Sequence, residues 1–401
     1  MLQYEAALAR ILAAVPAPSY EDVSLSAAAG RVLAEEVRSP IDLPVFDNSA
    51  MDGYALRASD AASARPDAPV RLRLTGRVVA GEAMTGEVRP GTCARVFTGS
   101  PLPRGADAVV MQEATRLEPG DPSEVLIQDR AKPGENVRMR GEDVRFGARL
   151  AEAGETLTAG RIGLLGAAGL TAVRVGRQPL VGLLATGSEL REPGQLLAPG
   201  QIYESNRVAL AALLARVGAV PRILPLVADA LASTGTALAD AFNQCNAVIT
   251  TGGVSVGEMD FVRRAFEQIG GKLEFWKVAV RPGRPFAFGR YREKLLFGLP
   301  GNPVSALVTF LMLVRPALLR WQGALHVTLS ARPGVLAEPL VNEGARRHLL
   351  RVTVDSAGRV WSAGLQASHA LSSMATANGL VDLPPKVTLA AGATVQVMCW
   401  D

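Results

Sequence analysis

The stretch Val248-Ile249-Thr250-Thr251-Gly252-Gly253-Val254-Ser255-Val256-Gly257-Glu258-Met259-Asp260 has the residue types and spacing to handle an anion. Its apolar, β-branched start, Ala247 to Thr251, predicts a buried strand. The paired glycines let the backbone turn and approach a ligand with no Cβ in the way. Phe261 to Ile269 is helix-like, with Asp260 where a cap would sit. A strand, a glycine loop and a helix start offer free N–H groups and the positive end of a helix dipole. Gly252 to Gly257 has the spacing of a nucleotide-triphosphate loop, but Glu258 and Met259 follow where Lys and Ser/Thr would be needed. The cradle is therefore edged with carboxylates, Glu258 and Asp260, which suggests a cation between protein and ligand. On spacing alone, a plain strand-to-helix turn with solvated acids competes evenly with this reading.

Other stretches repeat the theme. Thr186-Gly187-Ser188-Glu189 and Asp229 follow predicted strands, as Gly252-Gly253 and Asp260 do. Ligands of parallel sheets bind at the strands' C-terminal ends, so Glu189, Asp229 and Asp260 are expected on one edge. Carboxylates gathered in a cleft repel unless a cation joins them. Arg281-Pro282-Gly283-Arg284-Pro285 holds two guanidiniums in a stiff loop suited to bidentate oxyanion binding, although most arginines are simply solvated. In Pro300-Gly301-Asn302-Pro303-Val304-Ser305, Asn302 can cap a second helix start and Pro303 fits its first turn, with the Ser305 hydroxyl nearby. Asp47 and Asp52 lie in a polar loop, and Thr98 and Ser100 in a turn after a strand, where a turn role is the simpler reading.

The elements that must position these residues follow from periodicity. Met1 to Val15 is an amphipathic helix, unlike a signal peptide with its basic start. Leu25 to Val37 predicts another helix, and Val70 to Ile127 predicts a small β domain of short alternating runs. From Pro179 strands alternate with helices: Leu180 to Ala185, Arg207 to Val217, Ile223 to Val227, Thr236 to Asn243, then Ala247 to Thr251 and Phe261 to Ile269. That alternation implies a parallel sheet covered on both faces. Phe275 to Val280 and Phe286 to Tyr291 flank the Arg281 to Pro285 loop, Leu295 to Leu299 leads into Pro300, a helix runs to about Gln322, and β structure returns after Gly323.

Composition narrows the function classes. A chain of 401 residues with 48% hydrophobic content suggests two to four domains with sizeable cores. Net charge is +4 with scattered Lys and Arg, so no basic patch argues for nucleic acid. Cys93, Cys245 and Cys399 are odd in number and far apart, which fits a reducing cytoplasm rather than a disulfide framework. The uncharged run Ile162 to Val173 is too short for a bilayer, and His326, His348 and His369 lack ligand spacing.

Taken together, Asp47 to Ala55, the Thr98-Gly99 turn, Thr186-Gly187-Ser188-Glu189-Leu190, the Gly252 to Gly257 loop and Pro300 to Ser305 resemble the molybdopterin molybdenumtransferase family. So does Ser372-Ser373-Met374-Ala375-Thr376-Ala377-Asn378-Gly379-Leu380, and the whole series is similar to the E domain of gephyrin. The resemblance implies a multidomain α/β fold. A three-layer αβα parallel-sheet domain (1–20 and 177–324) would be joined by a mixed linker and dimer domain (21–43 and 141–176). A small β domain (44–140) and a β-barrel-like C-terminal domain (325–401) would complete it. It implies Mg²⁺-dependent insertion of molybdate into adenylylated molybdopterin with release of AMP, in a cytoplasmic homodimer with the site at the subunit junction. Other molybdenum-cofactor proteins and apo-molybdoenzymes are implied partners; nucleic acid and membrane are not. Carried over by position, Asp52, Thr98, Glu189, Asp229 and Asp260 would be catalytic, with Glu189, Asp229 and Asp260 on the metal. Gly252, Gly253, Ser255, Gly257, Arg281, Arg284, Pro300, Asn302, Pro303 and Ser305 would bind substrate. The family usually has Lys at Arg281 and Arg284, and after Asp229 this chain runs Ala230-Leu231 without the acid or proline common there. A non-catalytic molybdopterin-binding scaffold is the alternative, disfavoured because the acids are all present. The related adenylyltransferase would lack the flanking domains.

Overall fold

The computed structural model describes residues 1–82, 84–118, 120–253 and 261–400. The chain forms two compact units. One comprises Met1–Glu35, Ala153–Leu157 and Val173–Asp401; the other comprises Glu36–Glu152 and Thr158–Ala172. Helix α1 (Tyr4–Ala14) belongs to the first unit and buries Ala7 and Ile11, one turn apart.

The second unit is built on one six-stranded sheet. Its strands are β1 (Gly53–Leu56), β2 (Val70–Val78), β3 (Thr92–Val96), β4 (Ala108–Met111), β5 (Thr115–Glu118) and β6 (Asp121–Ile127), in the spatial order β4-β1-β3-β2-β6-β5. Along β2, Arg71 and Arg73 face solvent while Leu72 is buried, as a strand with one wet face requires. Leu56, Leu72, Cys93, Val125 and Ile127 form the core beneath it. Helix α2 (Ala159–Ala167) starts at Thr158, whose side chain accepts from the Arg161 N–H.

The first unit holds the parallel sheet. Its elements are β7 (Leu180–Ala185), α3 (Asn206–Arg216), β8 (Val220–Ile223), α4 (Leu231–Gln244), β9 (Ala247–Thr251), α5 (Phe261–Gln268), β10 (Lys272–Trp276), β11 (Val280–Arg281), β12 (Ala287–Tyr291) and β13 (Lys294–Leu299). The sheet order is β8-β7-β9-β13-β12-β10, parallel from β8 through β13 and antiparallel beyond it. Alternate residues go to opposite faces. Val181, Leu183, Ile249 and Phe297 pack under α1, α3 and the helical run Pro303–Trp321, whereas Leu184, Val248 and Leu296 pack against Phe242 of α4 and Phe266 of α5. This is a three-layer αβα sandwich. Pro303–Trp321 is apolar and long enough to cross a membrane, but 78% of it is buried in this core.

The C-terminal strands β14 (Ser330–Leu336), β15 (Arg347–Val354), β16 (Arg359–Ser362), β17 (Gly379–Leu383) and β18 (Thr394–Cys399) run β15-β16-β14-β18-β17, and pairing of β17 with β15 closes the barrel. Strand β11 adds to it in parallel, placing Arg281 beside His348.

Two local expectations fail. Leu25 to Val37 is not a helix: only Leu25–Ala27 makes a 3₁₀ turn, and buried Val32 and Leu33 bridge to Thr156 and Val175. Tertiary pairing overrides helical propensity there. The strand expected over Ile223 to Val227 instead spans Val220–Ile223, because Pro225 has no N–H to continue a ladder. Val227 keeps a single bridge to Thr186.

Candidate functional site

A cleft of about 460 Å³ lies at the C-terminal ends of β7, β9 and β13, lined by Thr186, Glu189, Gly252, Gly253 and Pro300 to Pro303 among others. Three strands thus each deliver the residues that follow them, as open parallel sheets do. Gly252 (φ +83°) and Gly253 (φ +61°) are dictated by packing as well as by the turn. A Cβ on Gly252 would stand 2.5 Å from the Thr186 carbonyl oxygen, and one on Gly253 would stand 2.9 Å from Thr186 Oγ1 and 2.7 Å from Val262 Cγ2. Gly252 and Gly253 therefore lie directly on Thr186. Among the described residues, the buried Oγ1 atoms of Thr186 and Thr250 have no hydrogen-bond partner. Ser255, Gly257, Glu258 and Asp260 lie outside the described residues.

Glu189 lines the cleft, and Asp229 sits on the adjoining loop. The two loops are tied together, since the Gly187 N–H donates to the Val227 carbonyl (3.1 Å) and the Asp229 N–H donates to Ser188 Oγ (3.3 Å). Among the described residues no three His, Cys, Asp or Glu side chains converge as a metal cage. Mg²⁺ does not require one: it is usually held by one or two carboxylates, water and substrate phosphates. Hard oxygen donors from Glu189 and Asp229 fit that pattern.

Pro300, Gly301, Asn302 and Pro303 all line the cleft. Asn302 occupies the N-cap position, with Pro303 in the first turn as expected, but it makes no side-chain cap. Its amide donates to Ser368 Oγ (3.0 Å) instead. Ser305 is only 4% exposed and is not in the lining, so its hydroxyl does not face the cleft. Sequence reasoning missed the opposite wall, Tyr203 to Asn206. The Asn206 amide donates to the Gly301 carbonyl (2.8 Å), and its buried Oδ1 has no partner. Behind it, wholly buried Arg207 donates to Glu204 Oε2 (2.9 Å), to both oxygens of Glu192 (2.8 Å each) and to the Leu224 carbonyl. The signal was the polar Glu204-Ser205-Asn206 entry to an otherwise apolar helix.

Arg281 and Arg284 are not in this cleft; only Pro285 of their loop reaches it. Both belong to a cationic cluster against the barrel. Arg346 Nη1 donates to the Val280 carbonyl (3.0 Å), and Arg351, with no exposed surface, donates through Nε to Ser373 Oγ (2.9 Å) and through Nη2 to the Leu365 carbonyl (2.9 Å). Burial and then the nearby Arg281 charge push the Arg351 guanidinium down to about 10.

In the second unit, Asp52 and Thr98 form a pair. The Thr98 N–H and hydroxyl both donate to Asp52 Oδ1, each at 2.8 Å. The backbone bond first, then the hydroxyl, holds the Asp52 carboxyl below the usual range. Ser100 has the simpler turn role, its hydroxyl donating to the Phe97 carbonyl (2.7 Å).

Residues 2–169 match the family described as MoeA N-terminal region (domain I and II), 182–320 the probable molybdopterin binding domain, and 333–400 the MoeA C-terminal region (domain IV). The chain is 42% identical over 386 residues to molybdopterin molybdenumtransferase 2 of Mycobacterium tuberculosis, covering 94% of each. It is 37% identical over 404 residues to the molybdopterin molybdenumtransferase of Haemophilus influenzae, covering 99% of this chain and 98% of that one. The crystal structure of the molybdopterin biosynthesis moeA protein from Pyrococcus horikoshii superposes with a TM-score of 0.83 at 30% identity, covering 100% of both chains. Three consecutive domain matches and this full-length likeness leave one conclusion: the chain belongs to the molybdopterin molybdenumtransferase family, transferases of molybdenum cofactor biosynthesis.

Proposed function

We propose that the chain inserts molybdate into adenylylated molybdopterin and releases AMP, with Mg²⁺ as the required cation. The observation that carries this reading is the cleft itself, where Gly252-Gly253, Pro300 to Pro303 and Glu189 meet at the end of a parallel sheet. The Gly252-Gly253 turn, which carries no Cβ, lets a phosphate approach the backbone closely, and bound Mg²⁺ would neutralise charge on the phosphoanhydride. Glu189 and Asp229, with Asp260, would hold that ion. Asp52 is ionised at neutral pH and is positioned by Thr98, so the pair serves as an orienting acceptor in the reaction. Arg281 and Arg284 supply a separate oxyanion subsite for molybdate. The final ligands of the inserted molybdenum are the dithiolene sulfurs of the substrate, so no protein thiol is needed. Cys93 and Cys245 are buried, consistent with structural roles.

The reading includes a homodimer in the cytoplasm. Its test is direct: the purified chain with adenylylated molybdopterin, Mg²⁺ and molybdate should release AMP with every component required. Tight molybdopterin binding without AMP release would replace the enzyme with a scaffold.

A further inference from the structure

His348 is 3% exposed, and both of its ring nitrogens lack a hydrogen-bond partner among the described residues. A neutral imidazole carries one donor and one acceptor, and buried groups of that kind are seldom left unpaired. The surroundings are equally unusual. Arg281 on β11 pairs beside it, Arg351 lies on its own strand β15, and Arg346 directly precedes that strand. Arg284 from the loop after β11 acts on Arg346. From β17 the neighbour across the ladder is Leu383, which carries no charge. Glu5 and Asp382 are taken by Arg347 at 2.6 and 3.1 Å. Arg351 adds another orphan, since its buried Nη1 also has no partner. Among the described residues, four guanidiniums and an imidazole thus gather with no carboxylate acting on His348 or Arg346. Like charges so placed call for an anion.

We propose that His348 is a binding residue of the Arg281–Arg284 oxyanion subsite and takes up a proton when a dianion such as molybdate enters. This rests on the function proposed above, which assigns that loop to molybdate. Without an anion, burial and then the charges of Arg281, Arg351 and Arg346 push His348 down to about 4, so the ring is neutral near pH 7. A dianion in contact with the ring offsets part of that positive field and favours the imidazolium, which then donates from both nitrogens. Because the bound state carries the raised value, proton uptake operates between about 4 and that value, and binding weakens as pH rises through it.

The experiment is calorimetric titration of sodium molybdate into the full chain, wild type and His348→Gln, at about pH 6 and about pH 7.5. Each is run in two buffers of different ionisation heat to count protons. Full uptake of one proton changes Kd about tenfold per pH unit, so wild type should bind at least roughly tenfold tighter at the lower pH. The variant should show no uptake and less than about a twofold change. Binding by wild type with no uptake, or an equal pH slope in the variant, overturns this inference and leaves the subsite standing. Molybdate binding that Arg281→Ala does not weaken overturns the subsite itself. If His348→Gln does not fold, the imidazole signals of wild type decide, because the chain has only three histidines. One of them must move to its protonated position when molybdate is added at about pH 6, and a spectrum with none moving refutes the proposal.

Discussion

The buried pair behind the cleft allows a sharp test by Arg207→Met. Arg207 and Glu204 have side chains only 2% exposed, whereas Glu192, the other carboxylate, is 47% exposed. Methionine roughly replaces the hydrocarbon stem but leaves Glu204 as a buried carboxylate with no cation. Breaking a buried pair in this way costs about 3–5 kcal/mol, while losing the exposed partner costs about 1 kcal/mol at most. Nearly the whole effect should therefore come from Glu204. All four tryptophans, Trp276, Trp321, Trp361 and Trp400, lie in the unit that contains Arg207, so their fluorescence in urea reports that unit alone. With a slope of about 3 kcal/mol per molar, the midpoint should fall by roughly 1–2 M. The double variant Arg207→Met with Glu204→Gln should recover more than half of the loss, because an amide is far easier to bury than a lone charge. A fall below about 0.3 M, or a double variant no better than the single one, would refute the argument.

Glu189→Gln should keep the fold and molybdopterin binding while AMP release drops about 10²-fold or more, because a carboxylate proposed to hold the cation is gone; turnover near wild type would remove it from the cation site. Gly252→Ala should destabilise the same unit by about 2–5 kcal/mol, since it combines a left-handed backbone with a contact 2.5 Å from the Thr186 oxygen; unchanged urea unfolding would mean that the loop relaxes freely. For Asp52, the carboxyl is depressed in the folded state, so its contribution is present above the ordinary value of 3.8 and lost as pH falls through the lower folded one. Thr98→Val removes only the hydroxyl bond and keeps the stronger backbone one, so the Asp52 titration followed by NMR should move up yet stay below 3.8, and an unmoved midpoint would show that the hydroxyl contributes nothing. Mixing inactive Asp52→Ala and Glu189→Ala proteins under subunit exchange should restore activity if, as proposed, a homodimer shares its sites; no recovery would place each site within one chain.

Much of the α/β part was legible in the amino-acid order, because its signals are local. A β-branched run such as Ala247 to Thr251 can be satisfied only as a buried strand, and Gly252-Gly253 must turn where no Cβ fits. The order of strands and helices then places Thr186, Gly252 and Pro300 on one sheet edge, since parallel strands share their C-terminal ends. What the sequence could not determine was anything set by partners distant in the chain. Asp52 meets Thr98 across 46 positions. Arg207 becomes a buried charge only because Glu192, Glu204 and the Leu224 carbonyl surround it, which no periodicity announces. Val32 and Leu33 have helical company in sequence but strand company in space, so the helix expected there does not form. Arg281 and Arg284 read in sequence as a stiff loop suited to an oxyanion, but only the pairing of β11 with β15 shows that they lie at the barrel, beside His348. Local chemistry chose the residues, and long-range strand pairing, which depends on the whole chain closing its sheets, decided which of them meet.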